Sequence, residues 1–457
     1  MSLWTAAELA EATDGTASPG LGPISGVSID SRTVVPGDLF IALATATGDG
    51  HAHVGMALAA GAAGAMVTRT DTLPPNAPLL LVDDTMAGLT RLGAHGRRRF
   101  AGRVVAVTGS VGKTTTKEML RTALSPQGAT HAAAASYNNH FGVPLTLARL
   151  PAAAAWCVAE IGMNHRGEIA PLARLVAPDV GIITAIERAH LGQLGSIEAI
   201  ADEKAALVAA LDADGTAILP ADSPHCRRLR AATAARVVTF GTAPNADARL
   251  LDAAADAEGT TLTARIGAET LTFRLPVAGT HMALNALATL AGVAALGADP
   301  HAAAQALGRF AAVAGRGHRR TIAAPDGPAL LLDESYNASA ASVRAALEVL
   351  RLQPAPRRIV VLGDMLELGE AGPAEHANLA AAVARSAHLV FSCGPLSRHL
   401  FDALPPHLRA AHAPDAATLA PLVRDAVRAG DAVLVKGSLG SRMRTVVAAL
   451  EGPKHAL

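Results

Sequence analysis

A chain of 457 residues is long enough for roughly two to four domains of ordinary size. Half of it is hydrophobic and only 3% aromatic, so its cores must be built from Leu, Val, Ile and Ala. Lys plus Arg equals Asp plus Glu at 39 each, a balance that argues against a nucleic-acid partner or a membrane surface, which call for a basic excess.

In chain order, the opening segment MSLWTAAELAEATDG carries Glu8 and Glu11 where a secretory leader needs an unbroken apolar stretch. No run approaches the roughly 20 apolar residues of a membrane span. Cys157, Cys226 and Cys393 lie far apart, with no C-x-x-C pair, and fit a reducing compartment. The expectation is a cytoplasmic monomer without membrane insertion. In a first block, residues 1–84, DLFIAL, GAMVT and LLLV are strand candidates. A second block, residues 85–314, opens its sheet with RVVAVT and continues with WCVAEI, VGIIT and TAIL. Its segment TTLTARIGAETLTFRL reads as a β-hairpin turning at Gly267. The third block, residues 315–457, alternates the strands LLLD, RIVVLGD, HLVFS and AVLVKGS with helical stretches, a doubly wound, Rossmann-like pattern. It has no G-x-G-x-x-G, so a dinucleotide site is not supported. The alanine runs at Ala132–Ala135 and Ala152–Ala155 read as packing or loop filler. The predicted fold class is α/β in three domains: a small N-terminal α/β domain, a central parallel sheet with a phosphate-binding loop, and a C-terminal Rossmann-like domain.

The strongest motif is VAVTGSVGKTTTKEML. A buried strand ends at Thr108, a tight loop of Gly109, Ser110, Val111 and Gly112 follows, and Lys113, Thr114 and Thr115 open a helix. A polyphosphate needs this arrangement, because loop and helix N–H groups point at its oxygens and the glycines remove side-chain bulk. Lys113 reaches the β- and γ-phosphates and the Thr114 hydroxyl can ligate Mg²⁺. The usual loop has a further glycine five residues before the second; here that position is Val107.

The compressed form, T-G-x-x-G-K-T-T, resembles the Mur ligase and folylpolyglutamate synthase group. SYNNHFGVPLTL, AEIGMNHRGEI and ITAIERAHLGQLGSIEAIADEK resemble further Mur ligase segments, and VSIDSRTVVPGDLFIAL with GDGHAHV resembles the family's uridine-nucleotide domain. The stretches D-E-S-Y-N-A and G-D-M-L-E-L-G resemble the members that join D-alanyl-D-alanine to UDP-N-acetylmuramoyl-tripeptide, the last cytoplasmic peptide addition to the peptidoglycan precursor. Glu334 stands where these members usually have Asp, Ser339 where they have Asn, and Ala340 where they have Pro. KGSLGSRM has extra small residues compared with K-G-S-R.

The resemblance implies an ATP- and Mg²⁺-dependent amide ligase working through an acyl phosphate, with those two substrates as its partners. It implies roles for particular residues. Glu160, at the end of its strand, is read as a Mg²⁺ ligand, or else as a cap of the next helix. His190 is read as ligand to a second Mg²⁺, or else as a structural histidine. Lys204 lies at the family's carbamylated position; the alternative is an exposed lysine paired with an acid on its helix. Asn138 and Asn139 would bond phosphate or substrate oxygens, or form an Asx turn. Asn285 stands at the adenine position. Arg316, Glu334, Tyr336 and Asn337 would face ATP and the acceptor. Lys436 would meet the dipeptide carboxylate, or sit on the surface. Ser31 and Arg32 would hold the uridine diphosphate, with Asp49, Gly50 and His51 near the uracil. Rival readings are another amide ligase of the group and a nucleotide-driven switch or transport ATPase; the third block has no purpose in the latter.

Overall fold

A computed structural model describes residues 2–45, 48–71, 73 and 76–452. Three large sheets follow one another along the chain, with helices packed against them, and a two-stranded ribbon pairs Ala44–Thr45 with Gly48–Asp49.

The first has five strands in the order Thr16–Ala17, Leu79–Leu81, Gly64–Val67, Asp38–Ile41, Gly26–Ser28, parallel except for the Thr16–Ala17 edge. The helix Thr85–Arg98 begins at Asp84, whose carboxylate accepts from the Ala87 N–H at 2.8 Å and satisfies one orphan donor of the first turn. This helix packs on the helix Gly142–Ala148. A Cβ at Gly96 would lie 2.2 Å from the Leu147 carbonyl oxygen, and one at Gly93 2.8 Å from that of Pro144. Glycine is therefore required at both places for the backbones to approach. Trp4 joins the same seam, donating from Nε1 to the Ala148 carbonyl at 2.8 Å beneath the Arg99 guanidinium.

The central sheet has nine strands, in the order Glu269–Leu275, Thr260–Ile266, Ala248–Ala255, Arg236–Gly241, Thr216–Pro220, Val180–Ile183, Arg103–Thr108, Trp156–Glu160, Thr130–Ala132. From Ala248–Ala255 to Thr130–Ala132 every pairing is parallel. Such strands are covered on both faces and read as continuous apolar runs. Arg103–Thr108 is buried from Val104 onward. One face packs under the helix Thr280–Ala295, the other under Ile169–Val176 and Ile197–Ala209. The expected hairpin forms, with Gly267 at φ 61° in its turn.

The third sheet runs His318–Ala324, Gly327–Glu334, Ala432–Lys436, Arg358–Gly363, Leu389–Cys393, Arg409–Ala413. Only its first pair is antiparallel. The expected strands are all present. Nine others among the described residues were not read from the sequence, and the four longest of these are Arg236–Gly241, Ala248–Ala255, His318–Ala324 and Arg409–Ala413. Three of them lie wholly or largely at sheet edges or are half exposed, so they lack the apolar run that marks a buried strand.

Candidate active site

The carboxyl ends of the central strands face the corresponding ends of the third sheet across a cavity of about 520 Å³. Open parallel sheets build sites at these ends, because loops and helix N-termini converge there. The phosphate loop forms the floor. Gly109 and Gly112 have φ of 149° and 85°, both in the region that favours glycine. A Cβ on Gly109 would fall 1.9 Å from Thr184 Oγ1, and one on Gly112 would fall 2.7 Å from Asn285 Oδ1. Thr184 donates to the Val111 carbonyl at 2.5 Å. Ser110 Oγ accepts from the Glu187 N–H and donates to the Glu187 carbonyl, both at 2.9 Å. The loop is thus braced from the segment after Val180–Ile183.

Lys113 is turned back on its own loop, donating to the Gly109 carbonyl at 2.7 Å. Burial pushes its pKa down; the charges of Glu160 and Glu367 oppose this and that of Arg316 adds to it. Beside it, Glu160 is 1% exposed. Its Oε1 accepts from Thr114 Oγ1 at 3.0 Å, Ser136 Oγ at 2.8 Å and Asn138 Nδ2 at 2.7 Å. Its Oε2 is buried with no hydrogen-bond partner among the described residues. An orphaned carboxylate oxygen next to a threonine hydroxyl suits a hard, oxygen-seeking divalent cation. Glu160 does not cap the next helix, since the residue before Ile169–Val176 is Glu168. The two asparagines separate: Asn138 bonds Glu160, whereas Asn139 accepts from the Gly142 N–H at 2.9 Å, a local turn contact.

Lys204 is 1% exposed, which overturns the alternative of an exposed, ion-paired lysine. The neighbouring Glu203 instead accepts from the Gly167 and Ile169 N–H groups at 2.7 and 2.9 Å. Burial drives the Lys204 pKa well below the usual lysine value; Lys113 pushes the same way and Glu203 against. His190 sits at φ 60° and meets Glu367 Oε2 of the third domain through Nδ1 at 2.5 Å. That contact, ahead of the opposing effect of burial, holds Glu367 below the usual carboxylate range.

The third domain lines the opposite wall. Arg316 stacks on Tyr336 at 4.0 Å. Lys436 is 2% exposed, not on the surface, and donates to the Asn337 carbonyl at 2.9 Å and to Glu334 Oε2 at 3.3 Å. Strand register explains the pairing, because Glu334 and Lys436 are direct neighbours.

Ser31, Arg32, Asp49, Gly50 and His51 lie outside this cavity, in the first domain. Arg32 grips Asp30 through Nε at 2.9 Å and Nη2 at 2.7 Å. His51 is buried; its Nδ1 meets Asp49 at 2.6 Å and its Nε2 accepts from the Thr68 N–H at 3.0 Å. Asp49 and His51 thus spend their polar atoms on each other and on the loop, while Arg32 keeps an exposed guanidinium.

Three family models match successive parts of the chain: Mur ligase family, catalytic domain, over residues 23–85; Mur ligase middle domain, over 107–293; and Mur ligase, glutamate ligase domain, over 308–439. The UDP-N-acetylmuramoyl-tripeptide–D-alanyl-D-alanine ligase of Bacillus subtilis is 34% identical over 430 residues, 93% of this chain and 92% of that protein. The chain belongs to the Mur ligase family. The ligase of the same name from Escherichia coli is 34% identical, covering 94% of each chain. Among solved structures, MurF from Acinetobacter baumannii superposes with a TM-score of 0.85 at 30% identity over 98% of both chains. MurF ligase from Thermotoga maritima in complex with ADP gives 0.78 at 26% identity over 93% of this chain and 97% of that one.

For a Mur ligase, the cavity joins the phosphate loop to the third domain as the sequence reading expects. That reading missed Ser136, Thr184 and Glu367, which complete the site through hydrogen bonds and an ion pair. It also missed Lys117, which is fully buried and donates to the Ala133 carbonyl at 2.6 Å and the Ala135 carbonyl at 3.3 Å. The alanine run is therefore no filler: its backbone carries an anchored loop. The second lysine of GKTTTK was a visible signal, since a lysine three residues after Thr114 shares its helix face.

Proposed function

We propose that this Mur ligase joins D-alanyl-D-alanine to UDP-N-acetylmuramoyl-tripeptide, converting ATP to ADP and phosphate. The observation that carries the reading is the shared cavity, in which a phosphate loop and the Glu334–Asn337 turn of another domain face each other in a chain related end to end to ligases of that name. A free carboxylate is a poor electrophile. Phosphoryl transfer from ATP to the tripeptide carboxylate gives an acyl phosphate, and the dipeptide amine then displaces phosphate. Such chemistry depends on positioning and on charge stabilisation.

The placements above support the following residue roles. Lys113 and the N–H groups of the phosphate loop hold the triphosphate, with Asn285 beside the loop for the adenine. Thr114 and Glu160 would hold a Mg²⁺ ion, and His190 and Lys204 a second; such ions would neutralise charge on the phosphate oxygens. Arg316 and the Glu334–Lys436 pair meet ATP and the dipeptide. Asn138 orients Glu160, and Ser31 and Arg32 receive the uridine diphosphate. We place the domain limits at 84/85 and 314/315, which fall between the sheets, and the protein in the cytoplasm as a monomer.

The test is ATP turnover with UDP-N-acetylmuramoyl-tripeptide, with and without D-alanyl-D-alanine, with products weighed by mass spectrometry. ADP, phosphate and an amide are expected only with both substrates present. AMP as product excludes the acyl phosphate, and ATP hydrolysis indifferent to both substrates favours a switch or transport ATPase.

A further inference from the structure

Lys117 has no part in the chemistry above, yet its side chain is fully buried, as that of Lys204 is. An ammonium has three donors and no acceptor. Here it donates to the Ala133 carbonyl at 2.6 Å and the Ala135 carbonyl at 3.3 Å, and its charge is paired with Glu118 Oε1 at 2.8 Å. Glu118 is steadied in turn by Arg121 at 2.7 Å.

The placement is informative. The strand Thr130–Ala132 is paired with Trp156–Glu160 only as far as Ala132 opposite Val158. Beyond that point the chain leaves the ladder, and its carbonyls need other donors. The next residues carry Ser136 and Asn138, which both donate to Glu160 Oε1. Lys117 lies three residues after Thr114 on the helix Lys113–Leu124, so one helix face presents both side chains to this segment. Thr114 touches Glu160 directly at 3.0 Å; Lys117 grips the backbone that brings Ser136 and Asn138 to the same oxygen.

We propose that Lys117 is a positioning residue for the metal–phosphate site: it fixes the 133–138 segment so that Ser136 and Asn138 occupy Glu160 Oε1 and leave Oε2 presented to a divalent cation. This rests on reading the loop as a nucleotide–Mg²⁺ site. A buried charge in this setting contributes orientation more than stability, since its desolvation cost offsets much of its pairing.

The experiment is calorimetric titration of ADP into the full-length protein, in EDTA and again with Mg²⁺, so the readout is binding and not turnover. The wild type tests the site reading alone: absence of ADP binding, or of any Mg²⁺ effect, removes that reading whatever Lys117 does. For folded Lys117→Met, ADP affinity in EDTA is expected to stay within about twofold of wild type, while the Mg²⁺-dependent tightening falls by about tenfold or more, the usual loss when support of a metal ligand is removed. Ser136→Ala should lose part of the same tightening, and the double variant should be no worse than Lys117→Met, because both act through one segment. Lys117→Gln, which keeps one donor, is measured beside them and carries the test if the methionine variant does not fold; it too should show a weakened Mg²⁺ response. A wild-type response in either folded variant overturns the proposal. So do equal losses with and without Mg²⁺, which would mark a purely structural lysine, and additive losses in the double variant.

Discussion

Lys204 is a lysine taken almost wholly out of water, with the positive charge of Lys113 acting on it. Burial is the main cause of the depressed Lys204 pKa, and the Lys113 charge the second. The sign of the consequence follows from linkage. In the unfolded chain Lys204 keeps a proton up to the usual lysine value of 10.5, whereas in the folded chain it gives the proton up earlier. The unfolded state therefore binds more protons in that window, and stability is lost as pH falls from about 10 towards neutrality. Lys204→Met is similar in length and apolar, so it should flatten this slope and raise the melting temperature near neutral pH. Melting curves of the two proteins over that range, in CO₂-free buffer, are the check, and parallel curves would sink the argument. A neutral buried amine is also what CO₂ adds to. The carbamate would reverse the charge and supply the oxygens that Mg²⁺ prefers. Turnover of Lys204→Ala should then be low and partly restored by formate or acetate; a fully active alanine variant removes the carbamate. Lys113→Ala should lower kcat by at least about 10²–10³, as loss of a transition-state donor does, with the melting temperature little changed. Near-normal turnover in that folded variant would mean another group serves the phosphates.

At the scale of elements, the seam between the helices Thr85–Arg98 and Gly142–Ala148 depends on close backbone approach at Gly93 and Gly96. Gly96→Ala would push a methyl to 2.2 Å from the Leu147 carbonyl oxygen, an atom that cannot rotate away. The helices must separate, at a cost of about 1–3 kcal/mol by the usual measure of overpacking. Urea unfolding should show this, while ADP affinity stays the same because the phosphate loop is on another part of the sheet. An unchanged midpoint would mean the seam yields freely. The same contrast explains what the sequence made legible. RVVAVT is a strand from Arg103 to Thr108 as read, because a strand buried on both faces is apolar throughout. ARLLDAAA and RAAHA are strands too, yet their alanines and irregular exposure leave no period-two mark on them. In the site, the phosphate loop was legible because its chemistry is local to eight consecutive residues, Thr108 to Thr115. Ser136 on Glu160 and Glu367 on His190 were not, because each contact joins segments that only the tertiary fold brings together.

For the whole molecule, the decisive geometry is the contact between the central and C-terminal domains. Ser31 and Arg32, the phosphate loop and the Glu334–Asn337 turn belong to different domains, yet the reacting atoms must come within about 3–3.5 Å of one another. Three contacts hold the second and third domains together at the cavity mouth: His190 with Glu367 at 2.5 Å, Arg188 with Glu375 at 3.0 Å, and the Gly192 N–H donating to the Glu367 carbonyl at 2.9 Å. The exposed Arg188 pair is worth little by itself, since solvent screens it. The glycine contact is sterically strict: a Cβ at Gly192 would stand 2.8 Å from the Gly369 backbone nitrogen, and one at Gly369 would stand 2.9 Å from Gly192 Cα. Gly192 lies in the short helix Leu191–Leu194 outside the positive-φ region, so valine fits its backbone and clashes only with the other domain. Gly192→Val should therefore fold, bind ADP on the central domain normally, and fail to close. Small-angle scattering should show the wild type contracting when the UDP-tripeptide and a non-hydrolysable ATP analogue are added together, and the variant remaining expanded. Turnover should fall by about 10²-fold, the usual cost of misplacing reacting groups by an ångström. A variant that contracts and turns over like the wild type would show that this glycine contact is no part of the working state.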